Sequence, residues 1–188
     1  MSLPPHPTIH FAHPAYRFAE RLAPRETGLS FFQTWTLEET RARIGEGDVL
    51  VVSGFWRNDL IAAAPRLRFI QGCAAGYDQF DRAALSARGI RLANASGVNA
   101  NAVSEHAFAL ILALTRQLHT GRDHQRQAHW RGMISEIGRR EEELPGKTMV
   151  LIGLGRIGSR IAMLAKAFGM TVIGVRRDVS AKPPHVDE

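Results

Sequence analysis

The sequence predicts an α/β protein: a doubly wound parallel domain followed by the opening of a second α/β unit. Three observations carry this. Short apolar runs alternate with helix-like segments over the first half, the hydrophobic period lengthens abruptly near residue 99, and a Gly-x-Gly-x-x-Gly turn follows an apolar strand late in the chain. Strands separated by short helices imply right-handed crossovers and a parallel sheet.

The elements read in order. "TIHFA" is a strand, "AYRFAERLA" a helix, "LSFFQTW" a strand, and "LEETRARIG" a helix with Thr36 as its N-cap. "DVLVVSG" follows as a strand, apolar nearly throughout and so expected to be covered on both faces. Next come "NDLIAAAP" (short helix), "LRFIQGCA" (strand), "FDRAALSARG" (helix ending at a Gly) and "IRLANA" (strand). From Asn99 to about residue 130 only Gly121 interrupts a helical pattern, predicting one long helix that starts near Asn99 or Asn101 and bridges two domains. "RGMISEIGRREEELPGK" is a polar loop. The second unit then offers a strand at 148–152, a helix from 156 to about 168 stopped by Gly169, a strand at 171–175, and a polar tail. Two strands and one helix cannot cover both faces of a sheet, so the chain reads as cut short, the strand ending at Val175 being expected to leave an open apolar edge and face.

Composition narrows the function classes. The chain has 188 residues, 45% hydrophobic and 22% charged, an ordinary globular balance. The longest apolar run, "AFALILALT", falls well short of the ~18 residues of a membrane span. No secretory signal pattern opens the sequence, so a cytoplasmic location is expected. One cysteine, Cys73, excludes an internal disulfide and a CxxC motif, and its apolar neighbours suggest a structural role. The net charge of +6 comes from scattered arginines interrupted by acids. A phosphate-bearing cofactor accounts for it more simply than nucleic acid, because no aromatic platform interleaves the arginines of 116–140. His119, His124 and His129 are five apart, a spacing that does not stack metal ligands on one helical face. No metal site is expected.

The chemistry gathers at "GLGRIG", Gly153 to Gly158. Alone the pattern is weak; after a strand and opening a helix it has a mechanism. Gly153 permits the tight turn, Gly155 lets backbone approach a pyrophosphate, and Gly158 lets helix and strand pack closely. The amides of Arg156 and Ile157 stand at the helix N-terminus, where phosphates bind. An NAD site then usually places an acid about 20 residues on to hold the ribose hydroxyls. Here Arg176 lies at that position, 18 residues after Gly158, with Arg177 behind it and Asp178 only after both. Arginine pairs with a 2′-phosphate, so NADP(H) is favoured and NAD(H) stays possible.

Three stretches, "CAAGYDQFD", "NASGVNANAVSEHAFALILALTR" and "LPGKTMVLIGLGRIGSRIA", resemble in order and spacing the N-terminal part of D-isomer-specific 2-hydroxyacid dehydrogenases. The resemblance implies a flavodoxin-like substrate domain over 1–98, a bridging helix over 99–130, and the N-terminal part of a Rossmann domain over 131–188. It implies hydride exchange between a nicotinamide and a 2-oxo or D-2-hydroxy acid, of the glyoxylate or hydroxypyruvate kind, in a homodimer joined through the bridging region. By position, Ala75 and Gly76 match the family's substrate-carboxylate amides. Val98 and Asn99 match residues approaching the nicotinamide. Phe55 and Trp56 fall at the cleft rim, where they would set substrate size or else plug the core. The family's catalytic His, Arg and Glu have no match among these 188 residues, and His106 sits inside the bridging helix rather than at the catalytic position. The chain alone is therefore expected to be inactive. The rival is a non-catalytic, NAD(H)-sensing, dimerising corepressor-like protein, which a peptide-docking surface would distinguish.

Overall fold

A computed structural model describes residues 2–188. The chain divides into two compact units, residues 1–96 and 97–188.

The first unit is a five-stranded parallel sheet: β1 (Ile9–Ala12), β2 (Phe31–Thr34), β3 (Val49–Val52), β4 (Phe69–Gly72) and β5 (Arg91–Ala93), in the order β2-β1-β3-β4-β5. That is the flavodoxin-like order, with its switch point between β1 and β3. Helices α1 (Phe18–Leu22), α2 (Leu37–Arg43), α3 (Leu60–Ala63) and α4 (Arg82–Ala87) make the crossovers. The Thr36 hydroxyl caps α2 by accepting from the Glu39 amide at 3.1 Å, and Glu39 answers by accepting from the Trp35 amide at 2.8 Å. Leu50, Val52 and Ile70 are fully buried, and Leu60, Leu67, Leu85 and Ile90 close over them. In β3 burial alternates: Leu50 and Val52 face the core while Val49 and Val51 are only half-buried. One face of the strand is thus less covered than its sequence suggests.

The second unit holds α5 (Ala100–Thr115), α6 (Leu118–Arg126), β6 (Thr148–Ile152), α7 (Arg156–Ala167) and β7 (Thr171–Val175), with β6 and β7 parallel. Two sequence expectations are corrected here. The single helix expected from 99 to about 130 is broken at Gln117, whose φ is 49°. The cause is tertiary: the returning segment docks on the helix end. The Glu142 amide donates to Thr115 O, Arg116 donates to Glu142 O, and Gln117 Nε2 donates to Arg139 O. Secondly, β7 is not left with an open edge. The tail folds back so that the Asp187 amide donates to Val172 O, and the Gly174 amide donates to Glu188 O. Val186 is buried beside Val172 and Ala165. The expected shortage of covering elements is met in part by α5, which packs on α7 with Phe108 stacked on Phe168 at 5.3 Å.

Candidate functional site

Two groups of residues carry the chemistry, one in each unit.

In the second unit the chain leaves β6 and turns at Gly153, whose φ of +97° lies in the left-handed region that favours glycine. Gly155 is the N-cap of α7, and the first intrahelical bond runs from the Ser159 amide to Gly155 O at 2.9 Å. The amides of Arg156, Ile157 and Gly158 therefore have no acceptor within their own helix. The next glycines differ in their surroundings. A Cβ on Gly158 would sit 2.0 Å from Gly153 O, so helix and turn touch through backbone. A Cβ on Gly155 would meet nothing within 4 Å. That open space, bordered by helix N-terminal amides, fits a pyrophosphate and is the structural reason to admit a dinucleotide here. The Arg156 side chain lies against Gly97, where an added Cβ would come 2.1 Å from Nη1. Val98 is exposed, and Asn99 stands exposed at the start of α5 without capping it through its side chain.

At the end of β7, Arg176 is half-buried and donates through Nη2 to Ala181 O, while Arg177 is exposed. The Asp178 carboxylate accepts from the Ser180 amide at 2.9 Å, and that bond first of all holds its pKa below the usual carboxylate range. It is turned into its own loop.

In the first unit, the loop after β4 exposes Ala74, Ala75 and Gly76. The Ala95 amide donates to Ala74 O at 3.0 Å, and Asn94 Nδ2 donates to Ala75 O at 2.7 Å. Neither the Ala75 nor the Gly76 amide donates to an acceptor among the described residues. Between the two sequence readings of the Phe55–Trp56 pair, the structure takes the core plug for Trp56. Its side chain is 3% exposed, rests on Phe80 at 5.2 Å, and donates Nε1 to Asn58 Oδ1 at 2.9 Å. Phe55 is half-buried against the same cluster. Asn58 Oδ1 also accepts from the Asp81 amide at 3.0 Å, tying this loop to the N-cap of α4.

The remaining candidates sort quickly. Cys73 is half-buried and burial pushes its thiol pKa up, the reverse of an activated nucleophile. His106 is exposed on α5. His124 and His129 do come together, with ring centroids 4.8 Å apart, because α6 ends at Arg126 and the chain reverses through Ala128 at φ 50°. Among the described residues no group of three or more His, Cys, Asp or Glu is placed to hold a metal ion, and no helix is long and apolar enough to cross a membrane.

Sequence reasoning missed Asn58 and Asn94. Their role is in the folded contacts of their side chains, which no local pattern announces.

The chain is similar to proteins of one family. The family model for the NAD binding domain of D-isomer specific 2-hydroxyacid dehydrogenases matches residues 108–187. A glyoxylate reductase of Aeropyrum pernix is 39% identical over 121 residues, 61% of this chain and 35% of that protein. A D-3-phosphoglycerate dehydrogenase of Mycobacterium bovis is 36% identical over 135 residues, 70% of this chain and 25% of that protein. Among solved structures, a D-isomer specific 2-hydroxyacid dehydrogenase family protein from Aeromonas salmonicida superposes with a TM-score of 0.78 at 29% identity, covering 96% of this chain and 56% of that one. An acyclic imino acid reductase in complex with NADPH and D-Arg gives 0.77 at 25% identity, covering 95% and 59%. The chain spans between a quarter and about a third of the length of these two curated relatives.

Proposed function

We propose, from the chain's membership of the D-isomer specific 2-hydroxyacid dehydrogenase family, that it is the substrate-carboxylate and pyrophosphate-binding part of an NAD(P)-dependent oxidoreductase acting on small 2-oxo and D-2-hydroxy acids. The observation that carries the reading is the pair of glycine environments: backbone contact at Gly158 and open space at Gly155, beside helix-terminal amides. When bound, the nicotinamide supplies or takes the hydride. This chain's residues bind and orient: Gly153, Gly155, Arg156, Ile157 and Gly158 hold the pyrophosphate, and the amides of Ala75 and Gly76 hold the substrate carboxylate. Val98 and Asn99 approach the nicotinamide, and Phe55 limits substrate size above the Trp56 plug. Proton transfer falls to a His that has no match in these residues, so the chain by itself binds without turning over. The exposed Leu110, Leu114 and Leu118 of α5 and α6 support association of two copies through this region.

NADP(H) is the favoured cofactor. Arg176 and Arg177 stand where a ribose-reading acid would, and the one nearby acid, Asp178, is committed to Ser180. The test is calorimetric titration of the chain with ADP-ribose and with its 2′-phosphate. The phosphorylated ligand should bind at least about tenfold tighter, as expected for one charged hydrogen bond. Arg176→Asp should reverse the order. Equal affinities, or a wild-type preference for ADP-ribose, would overturn the NADP assignment.

A further inference from the structure

We infer that Asn94 is a positioning residue that turns the Ala75 and Gly76 amides toward the substrate carboxylate, an inference that rests on the carboxylate-loop reading above. A trans peptide is planar, and its C=O and N–H point in opposite directions. Two consecutive carbonyls of the loop after β4 are fixed from the same side by the segment after β5. The backbone amide of Ala95 holds Ala74 O at 3.0 Å, and the side chain of Asn94 holds Ala75 O at 2.7 Å. The N–H partners of those carbonyls belong to Ala75 and Gly76, both exposed residues, and planarity directs them away from residues 94 and 95.

The arrangement makes a two-amide cradle whose direction is set by residues 94 and 95. Nothing crowds it: a Cβ on Gly76 would have only the Asp78 carboxylate within 4.0 Å. The Ala95 contribution is backbone and survives most substitutions. The Asn94 contribution is one side-chain donor. Asn94 Oδ1 meanwhile accepts from the Ser96 amide at 3.3 Å, which keeps the carboxamide's NH₂ facing Ala75. Without that donor the 75–76 peptide plane is free to rotate, and binding a carboxylate then has to order it first.

The experiment is backbone-amide NMR titration of the 188-residue chain with glyoxylate, alongside thermal unfolding. In the wild type the Ala75 and Gly76 resonances should move together. Asn94→Leu keeps the shape and removes the donor; it should weaken glyoxylate binding about fivefold, the scale of one neutral hydrogen bond. Asn94→Asp keeps the Ser96 contact but turns a charged oxygen toward Ala75 O in place of the donor, and should weaken it more than Asn94→Leu does. A lowered Tm with an unchanged dissociation constant in both variants would show a merely structural Asn94 and sink the inference. Absence of any shift at Ala75 and Gly76 in the wild type would sink the carboxylate-loop reading itself, and this inference with it.

Discussion

His10 should make the first unit lose stability in mild acid. The ring is fully buried on β1, its Nε2 within 2.8 Å of Thr34 Oγ1 and its face stacked on Phe32 at 4.4 Å. Burial above all, with the nearby Arg43 charge, lowers its pKa from 6.5 to about 4, against a smaller upward pull from Glu46. The sign follows from linkage. In the folded state His10 stays neutral, whereas the unfolded chain takes up a proton below its ordinary pKa of 6.5. Its contribution is therefore complete above pH 6.5 and drains away as pH falls toward 4. Between pH 7.5 and 4.5 the loss amounts to roughly 2–3 kcal/mol, at 1.36 kcal/mol per unit. His13 is also lowered by burial and adds in the same direction. The assay is urea unfolding followed by the fluorescence of buried Trp56, at pH 7.5 and 4.5, for the wild type and His10→Gln. Glutamine can still reach Thr34 but cannot titrate. The wild type should lose about 2 kcal/mol more than the variant over this interval. Equal losses would refute the reasoning, since they would mean that the neutral ring costs nothing to keep.

The second and third glycines of the turn should fail in different ways. Gly158→Ala drives a Cβ into Gly153 O and should destabilise the second unit by about 1–3 kcal/mol, read as faster hydrogen exchange at Val172 and Ile173. Gly155→Ala enters open space at an ordinary φ of −74° and should leave that exchange unchanged while abolishing nucleotide binding in the same titrations. Destabilisation by both, or neither, would contradict the assigned roles. The 188-residue chain should show no turnover of glyoxylate with NADPH in a 340 nm assay; measurable turnover would move proton transfer onto a residue of this chain, and His106→Ala would then be the variant to make.

The strands were legible because hydrophobic period and turn residues are local properties. "TMVLI" and "TVIGV" became β6 and β7 residue for residue. The Thr36 cap could be seen for the same reason, as a hydroxyl acts within three residues of itself. What misled was non-local. The helix break at Gln117 depends on Arg139 and Glu142, more than 20 residues downstream, and 116–118 contains neither glycine nor proline to announce it. Val186 is a single apolar residue in a polar tail, yet it fills a space between α7 and β7 that appears only once both have folded.

The site divides along the same line. The glycine turn has a sequence signature because its constraint is carried by the glycines themselves: a positive φ at Gly153 and a missing Cβ at Gly158. The proposed carboxylate loop has a different construction. Ala75 and Gly76 are ordinary small residues whose backbone could face either way, and the deciding donor comes from a side chain 19 positions later. An amide that binds through its direction leaves that direction to be set by whatever grips the opposite carbonyl. In a parallel sheet that partner is the loop at the end of the neighbouring strand, here β5 beside β4. The residues that would contact the substrate are therefore the least informative in the sequence, and the one that aims them stands at the next strand's end, where a polar side chain reads only as a turn.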